Sequence, residues 1–579
     1  MLNRVPMADL PGRAKLWNWT GFRNRDDQLL ILLSLVIGVI VGLTVVAFIL
    51  LTGRLAARMY PPGSQPWRRV LIPIGGALLT GYLLVRYFPN ARGSGIPQTK
   101  FALFIQDGFI SLRTVIGKFL CCSASLASGI ALGREGPSVQ IGAGIASVLG
   151  RRFGMSPANV KTLVPVGCSA ALAAAFNTPI AAVLFSLEEI LGDLHAPVLG
   201  SVVISSATSW IVLHLLLGDE PLFHVPAYQL VSPSEFLVYA VLGVVGGLGS
   251  VCFVKLLLGL RIWFKRFPKS TLWMQPAVGG AAVGLLAWWM PEVLGVGYDY
   301  VERVLGGDFP VKTVAMLAVL KIVATATCYS SGNAGGIFGP SLFIGAMIGG
   351  AVGSVAHMLL PGGAANPGAY ALVGMGTAFA GIVRTPLTSV IMIFEMTRDY
   401  SIIVPLMISN LISFFISQQL QREPIYEALA LQEGVYLPTG ESREELAGVR
   451  VSQVMHADAE PLPPETDVRT ALHRFEDEKC TSWPVGSRND LQGIVSSHRI
   501  EAANPPAVTV GEIIRNDRKY PYVHPDHPLS YALERMGAAS VDVVPVVSRA
   551  NIHQMSGVVK LPDILTAYGV ADGGAKSGA

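Results

Sequence analysis

The hydrophobic pattern of this chain is one of long apolar runs cut repeatedly by glycine and proline. Between residues 29 and 420, apolar stretches of about 20 residues, enough to cross a bilayer, follow one another. Residues 28–55 and 70–88 read as ordinary spanning helices, whereas residues 101–105 form an apolar piece too short to cross. The last apolar run, 402–416, leads into Arg422-Glu423-Pro424-Ile425-Tyr426. From Gln432 onward the composition is that of a water-soluble domain, with a charged linker at 441–445. Short β-branched runs there alternate with helical patterns, which predicts α/β structure.

The pattern also repeats. Lys118, Ser128-Gly129, Gly136-Pro137-Ser138 and Ile141-Gly142-Ala143 recur in step as Lys321, Ser331-Gly332, Gly339-Pro340-Ser341 and Ile344-Gly345-Ala346. Further on, Thr178-Pro179-Ile180 with Glu188 matches Thr385-Pro386-Leu387 with Glu395. The apolar region is therefore two related halves, 28–217 and 233–436. Repeats with interrupted helices at matching positions point to a transporter-type site near the bilayer midplane. The interruptions are Gly133-Arg134-Glu135-Gly136-Pro137 in the first half and Gly335-Gly336-Ile337-Phe338-Gly339-Pro340 in the second. Gly93-Ser94-Gly95-Ile96-Pro97 is a third glycine-rich helix start, although read alone it is also a Gly-Pro turn at the membrane surface. Each such start carries about half a positive elementary charge and unpaired N–H groups. Converging inside a membrane, they suit a small inorganic anion.

The soluble region is a second repeat. Residues 451–455 and 510–514 open the two copies, Pro484-Val485 matches Pro545-Val546, and Gly493-Ile494-Val495 matches Gly557-Val558-Val559. Two α/β modules of about 50–60 residues result, each too small to be stable apart and expected to pack as a pair.

Composition agrees with the pattern. The 579 residues are 51% hydrophobic and only 14% charged, with a mean hydropathy of +0.50, the profile of a polytopic membrane protein. A net charge of +4 makes no case for nucleic acid. Six scattered cysteines lack metal-ligand spacing and read as packing residues. Arg4, Arg13, Lys15, Arg23 and Arg25 place the N-terminal segment, 1–27, in the cytoplasm by the positive-inside rule.

Four carboxylates stand out. A carboxylate among membrane-spanning residues costs roughly 2.5–3.5 kcal/mol, so it faces a partner or a water-filled path. Glu188 and Glu395 are shared by the two halves, which makes them structural, at a helix end or in packing. Glu135 aligns with Phe338 and Glu189 with Met396, so each is an addition to one half and a candidate for proton chemistry. Glu189 also reads as a helix-end cap beside Glu188, and Tyr426 by itself as an interfacial belt tyrosine. A membrane-embedded acid–base enzyme is disfavoured, because the apolar segments contain no metal cluster, nucleophile motif or paired histidines.

Taken together and in this order, the Ser94, Glu135 and Phe338 motifs and the late Tyr426 resemble the CLC family of chloride channels and chloride/proton antiporters, followed by a pair of CBS domains. The resemblance covers nearly the whole chain. It implies an all-α membrane domain of two inverted repeats of broken helices, a cytoplasmic α/β CBS pair, and a homodimer in which each subunit has its own pore. Chloride is then held by the hydroxyls of Ser94 and Tyr426 and the backbone N–H groups of Ile337 and Phe338. Gly93, Gly95, Ile96, Pro97, Gly133, Arg134, Gly136, Pro137, Gly335, Gly336, Gly339 and Pro340 form the selectivity loops. Glu135 is the gating glutamate, and a glutamate at the position of Glu189 goes with coupled exchange; a passive chloride channel of the same fold is the alternative. The expected partners are chloride, protons and the bilayer, with no cofactor required, in a bacterial inner membrane with both termini cytoplasmic.

The resemblance also divides the tail. A linker at 437–448 precedes CBS modules at 449–504 and 505–570 and a tail at 571–579. CBS modules that bind adenine nucleotides carry a hydroxyl residue and, three residues on, an aspartate for the ribose. The first copy has Ser496 but Arg499, and the second Asp563 but Lys560. Asp563 is the candidate ribose ligand, and a purely structural pair is the other reading.

Overall fold

The computed structural model describes residues 25–567 apart from 195–196, 220–221, 224–231, 308, 361–362, 435–448, 479, 503–508, 515–519 and 540. The expected linker and tail, and residues 1–24 of the N-terminal segment, lie outside the described residues.

Helices of the two halves correspond one to one. The first half holds α1 (Arg25–Met59), α2 (Pro66–Arg86), α3 (Ile96–Ile105), α4 (Leu112–Ala127), α5 (Glu135–Arg152), α6 (Pro157–Phe176), α7 (Pro179–Phe185) and α8 (Leu199–Leu217). The second holds α9 (Glu235–Lys265), α10 (Gln275–Trp289), α11 (Tyr298–Leu305), α12 (Val311–Ser330), α13 (Phe338–Leu359), α14 (Pro367–Val383), α15 (Pro386–Thr397) and α16 (Ile403–Leu420), followed by α17 (Ile425–Leu431). Eight of the described helical segments are long and apolar enough to cross a membrane. At 35 residues, α1 is longer than a bilayer core of about 30 Å requires, so it spans with tilt.

The same local devices build each half. Pro157 and Pro367 open α6 and α14, and Asn177 and Arg384 end them in the left-handed conformation, at φ 60° and 67°. Glycines then let these helices cross their neighbours closely. A Cβ at Gly142 of α5 would lie 2.2 Å from the carbonyl oxygen of Gly167 on α6, and one at Gly345 of α13 would lie 2.2 Å from that of Gly374 on α14.

The two C-terminal modules each contain one antiparallel strand pair, β1 (Ser482–Gly486) with β2 (Leu491–Ser496) and β3 (Val543–Val547) with β4 (Met555–Lys560). Their cores are continuous, since Trp483, Val485 and Val495 pack in one cluster with Val543, Val547 and Val558. The second module also touches the membrane domain. A Cβ at Gly537 would meet Ile105 of α3 at 2.9 Å, and Glu534 pairs with Lys161 of α6 at 3.6 Å.

Candidate functional site

The two half-repeats are tied together at their interruptions. The Gly133 N–H donates to the Gly336 carbonyl at 2.7 Å, and the Gly336 N–H returns a bond to Gly133 at 2.8 Å. This bridge sets the starts of α5 and α13 side by side. Neither helix has a side-chain cap, so first-turn N–H groups lack intrahelical partners. The Ser94 loop joins them: a Cβ at Gly136 would meet the Ser94 carbonyl oxygen at 2.7 Å, and one at Gly95 would meet that of Gly136 at 2.4 Å. Gly95 also has φ 109°, a left-handed backbone that favours glycine. Three helix starts thus share one small volume.

A fourth start, missed in the sequence, belongs to the same frame. Lys118 Nζ donates to the carbonyls of Ala91 and Gly93 at 3.0 and 2.6 Å, and Lys321 Nζ donates to Val293 and Gly295 at 3.0 and 2.6 Å. The loop Gly295-Val296-Gly297-Tyr298 is therefore the repeat counterpart of the Ser94 loop, and it leads into α11. Counting back from the matched lysines would have revealed it.

Glu135 is completely buried at this junction. Its Oε2 accepts from the Gly339 N–H at 3.2 Å, and its Oε1 accepts from the Tyr298 hydroxyl. Arg134 lies alongside, with Nε 4.0 Å from Oε1 and its guanidinium 5.6 Å from the Tyr298 ring centre. Phe338, the counterpart of Glu135, packs instead on Phe379, Phe176 and Phe185 at 4.3, 4.8 and 5.6 Å between ring centres. Those rings hold the first turn of α13, and Ile337 before it is fully buried.

Ser94 is buried, and its Oγ accepts from the Ile96 N–H at 3.4 Å. Tyr426 is also fully buried, which overturns its reading as an interfacial belt residue: α17 turns back into the protein after Pro424. Its hydroxyl has no hydrogen-bond partner among the described residues. Buried hydroxyls are ordinarily bonded, and one left open is a donor awaiting an acceptor. Tyr426 lies within electrostatic reach of Glu189, Tyr329, Glu135 and Glu427. A cavity of about 770 Å³ reaches the Ser94 loop, lined in part by Arg92, Gly93, Gln98, Arg261 and Tyr329. Its two arginines favour an anion.

The two neighbouring glutamates 188 and 189 point to different partners. They lie in a π-helical turn, Ser186–Leu191, a widened geometry frequent at functional sites. Glu188 accepts from the Thr388 N–H and hydroxyl at 2.8 and 2.6 Å, at the start of α15. Glu395 does the converse, accepting from Ile180 and Ala181 N–H at 2.9 and 2.7 Å, at the start of α7. Each shared carboxylate thus caps a helix of the other half. Glu189 is no helix cap. It is buried and accepts from Lys100 Nζ at 2.8 Å, while Lys100 also donates to Glu427 at 2.5 Å. Lys100 and Glu427 were not singled out in the sequence, although a lysine inside the short apolar piece after Pro97 was the available signal.

In the second CBS module Asp563 lies 2.7 Å from His456 Nε2, and Lys560 pairs with Glu478 at 2.7 Å. Both polar groups are engaged within the protein.

The family described as "Voltage gated chloride channel" matches residues 75–418, and the CBS domain family matches residues 451–503 and 510–569. A putative chloride channel protein, ClcB-like, of Ralstonia nicotianae is 36% identical over 352 residues, 59% of this chain and 81% of that one. The H(+)/Cl(-) exchange transporter ClcA of Cronobacter sakazakii is 33% identical over 422 residues, 70% of this chain and 90% of its own. Among solved structures, a slow cyanobacterial Cl-/H+ antiporter superposes with a TM-score of 0.64 at 26% identity, covering 70% of this chain and 97% of its own. A eukaryotic CLC transporter shares the fold over 93% of this chain and 99% of its own, with a TM-score of 0.66 at 20% identity.

Proposed function

The chain belongs to the voltage-gated chloride channel family and carries a CBS pair, and from that premise we propose that it exchanges chloride for protons across a membrane. The observation that carries this reading is the Glu135 carboxylate seated at the start of α13, on the Gly339 N–H. A carboxylate is itself an anion, and the positive end of a helix accepts it as it accepts chloride. Protonation removes the charge that holds Glu135 there, the side chain leaves, and chloride takes its place. Chloride is held along the path by the Ser94 and Tyr426 hydroxyls and the N–H groups of Ile337 and Phe338.

Glu189 is the inner proton acceptor of this mechanism, delivering to Glu135 past Tyr426, which lies within electrostatic reach of both carboxylates. Coupled exchange rather than passive conduction is supported by the presence of both glutamates and by the similarity to relatives named as exchangers. The protein works as a homodimer with one path per subunit, in a bacterial inner membrane with both termini cytoplasmic. The family resemblance and the basic N-terminal segment support these assignments.

The test is simultaneous measurement of chloride and proton flux in liposomes containing the purified protein. A chloride gradient is expected to drive protons uphill. Chloride flux without proton movement replaces this reading with that of a passive channel.

A further inference from the structure

Lys100 lies between two carboxylates that come from distant parts of the chain. Its Nζ is 2.8 Å from Glu189 Oε1 and 2.5 Å from Glu427 Oε1. All three side chains are buried, at 6%, 6% and 8% exposure for Lys100, Glu189 and Glu427. One ammonium and two carboxylates leave one unit of negative charge without a counterion. An isolated buried charge is strongly disfavoured. Glu427 Oε2, moreover, is buried and has no hydrogen-bond partner among the described residues. A single proton placed on that oxygen neutralises the cluster.

Among the described residues no second cation pairs with Glu189 or Glu427: Arg261, which reaches α17 from α9, donates to the Leu429 carbonyl at 3.1 Å and pairs with Glu433. Glu188, beside Glu189, is turned to the Leu387 and Thr388 N–H groups at 3.3 and 2.8 Å. Glu135 is occupied by Tyr298 and Gly339. Tyr426, next to Glu427 on α17, brings a hydroxyl and no cation. The proton that balances the cluster therefore comes from solution.

We propose that the inner proton site is this three-residue cluster, in which Glu427 is a second proton-carrying carboxylate and Lys100 keeps the load at one proton. Lys100 holds one carboxylate ionised while the other takes and releases the proton. Glu427 follows Tyr426 directly on α17, so the proton site and the chloride site share that helix. This inference rests on the proton-coupled reading given above and names a residue which that reading did not need.

Paired chloride and proton flux in liposomes tests it with three variants. In Glu427→Gln, Lys100 pairs with Glu189 alone, the cluster is neutral without a proton, and coupled proton flux is expected to be lost while chloride still moves. Adding Lys100→Met to that variant removes the clamp on Glu189, and proton flux is expected to return. Glu427→Asp keeps the carboxylate and is expected to retain the wild-type ratio of protons to chloride. Wild-type coupling in Glu427→Gln overturns the proposal, as does uncoupled chloride flux in Glu427→Asp, which assigns Glu427 to packing. Continued loss of proton flux in the Lys100→Met, Glu427→Gln protein overturns the role given to Lys100. Failure of the exchange reading itself is recognised separately, because the wild-type protein then moves chloride without protons.

Discussion

Lys118 and Lys321 perform the same task in opposite halves: each ammonium, fully buried, bonds two carbonyls of the loop that precedes a helix start. One loop carries Ser94 and the other Tyr298. Lys118→Met leaves the Ala91 and Gly93 carbonyls unpartnered, at about 1–3 kcal/mol for each buried group. The Ser94 loop then loosens, and chloride binding by titration calorimetry is expected to weaken more than in Lys321→Met. Undiminished chloride affinity in Lys118→Met disproves the link between this lysine and the anion site.

The Tyr298 hydroxyl donates to the Glu135 carboxylate. A hydrogen bond to a charged group contributes about 1.5–3 kcal/mol, so removing it favours departure of Glu135 from the helix start. Tyr298→Phe is expected to speed chloride turnover near neutral pH by about tenfold or more. Glu135→Gln should go further and abolish proton transport. Chloride efflux from liposomes across a pH series measures the first and simultaneous proton uptake the second, and a Tyr298→Phe efflux profile that overlays the wild type refutes the first.

Glu188 and Glu395 cap each other's halves, at the starts of α15 and α7. Replacing an N-terminal cap with alanine costs about 0.5–2 kcal/mol. Glu395→Ala is therefore expected to lower the thermal unfolding temperature of the purified protein while preserving its proton-to-chloride ratio. A changed ratio with unchanged stability contradicts the structural role.

The CBS pair is expected to lose stability in acid. Burial and the neighbouring His524 hold His527 below its ordinary value of 6.5, and the Lys560 hydrogen bond holds Glu478 below 4.5. Arg549 brings Asp526 down to about 2. In each case the unfolded chain binds its proton more readily than the folded one, so stability is present above the ordinary value and declines as pH falls below it. The decline begins below pH 6.5 with His527 and deepens below pH 4.5 with Glu478. Hydrogen exchange of β1 to β4, corrected for intrinsic rates, should show less protection at pH 5 than at pH 7.5 on this basis; equal protection rules it out.

Asp563 is bonded to His456 at 2.7 Å, so an adenine nucleotide that used Asp563 for its ribose would have to part the two. His456→Ala is expected to strengthen ATP binding to the full-length protein in titration calorimetry, and Asp563→Ala to abolish it. Nucleotide binding that survives Asp563→Ala moves the ribose site elsewhere.

The duplicated halves, the glycine-rich helix starts and the unmatched Glu135 and Glu189 were legible in the sequence. Apolar length answers to the thickness of lipid, and glycine and proline act on the backbone where they stand, so these signals are local. The reciprocal capping by Glu188 and Glu395 was only half legible, as a shared carboxylate without a partner. Tyr426, judged by its neighbours in the chain, suggested a membrane surface, yet the turn at Pro424 carries it to the interior. Lys100 meets Glu189 and Glu427 across 89 and 327 positions, and Tyr298 meets Glu135 across 163. The sequence by itself determined where helices break and which charges must find company in lipid. Only the tertiary structure decided which company they keep, because a buried charge is satisfied by whichever group packing brings within a few ångströms, however far away it lies in the chain.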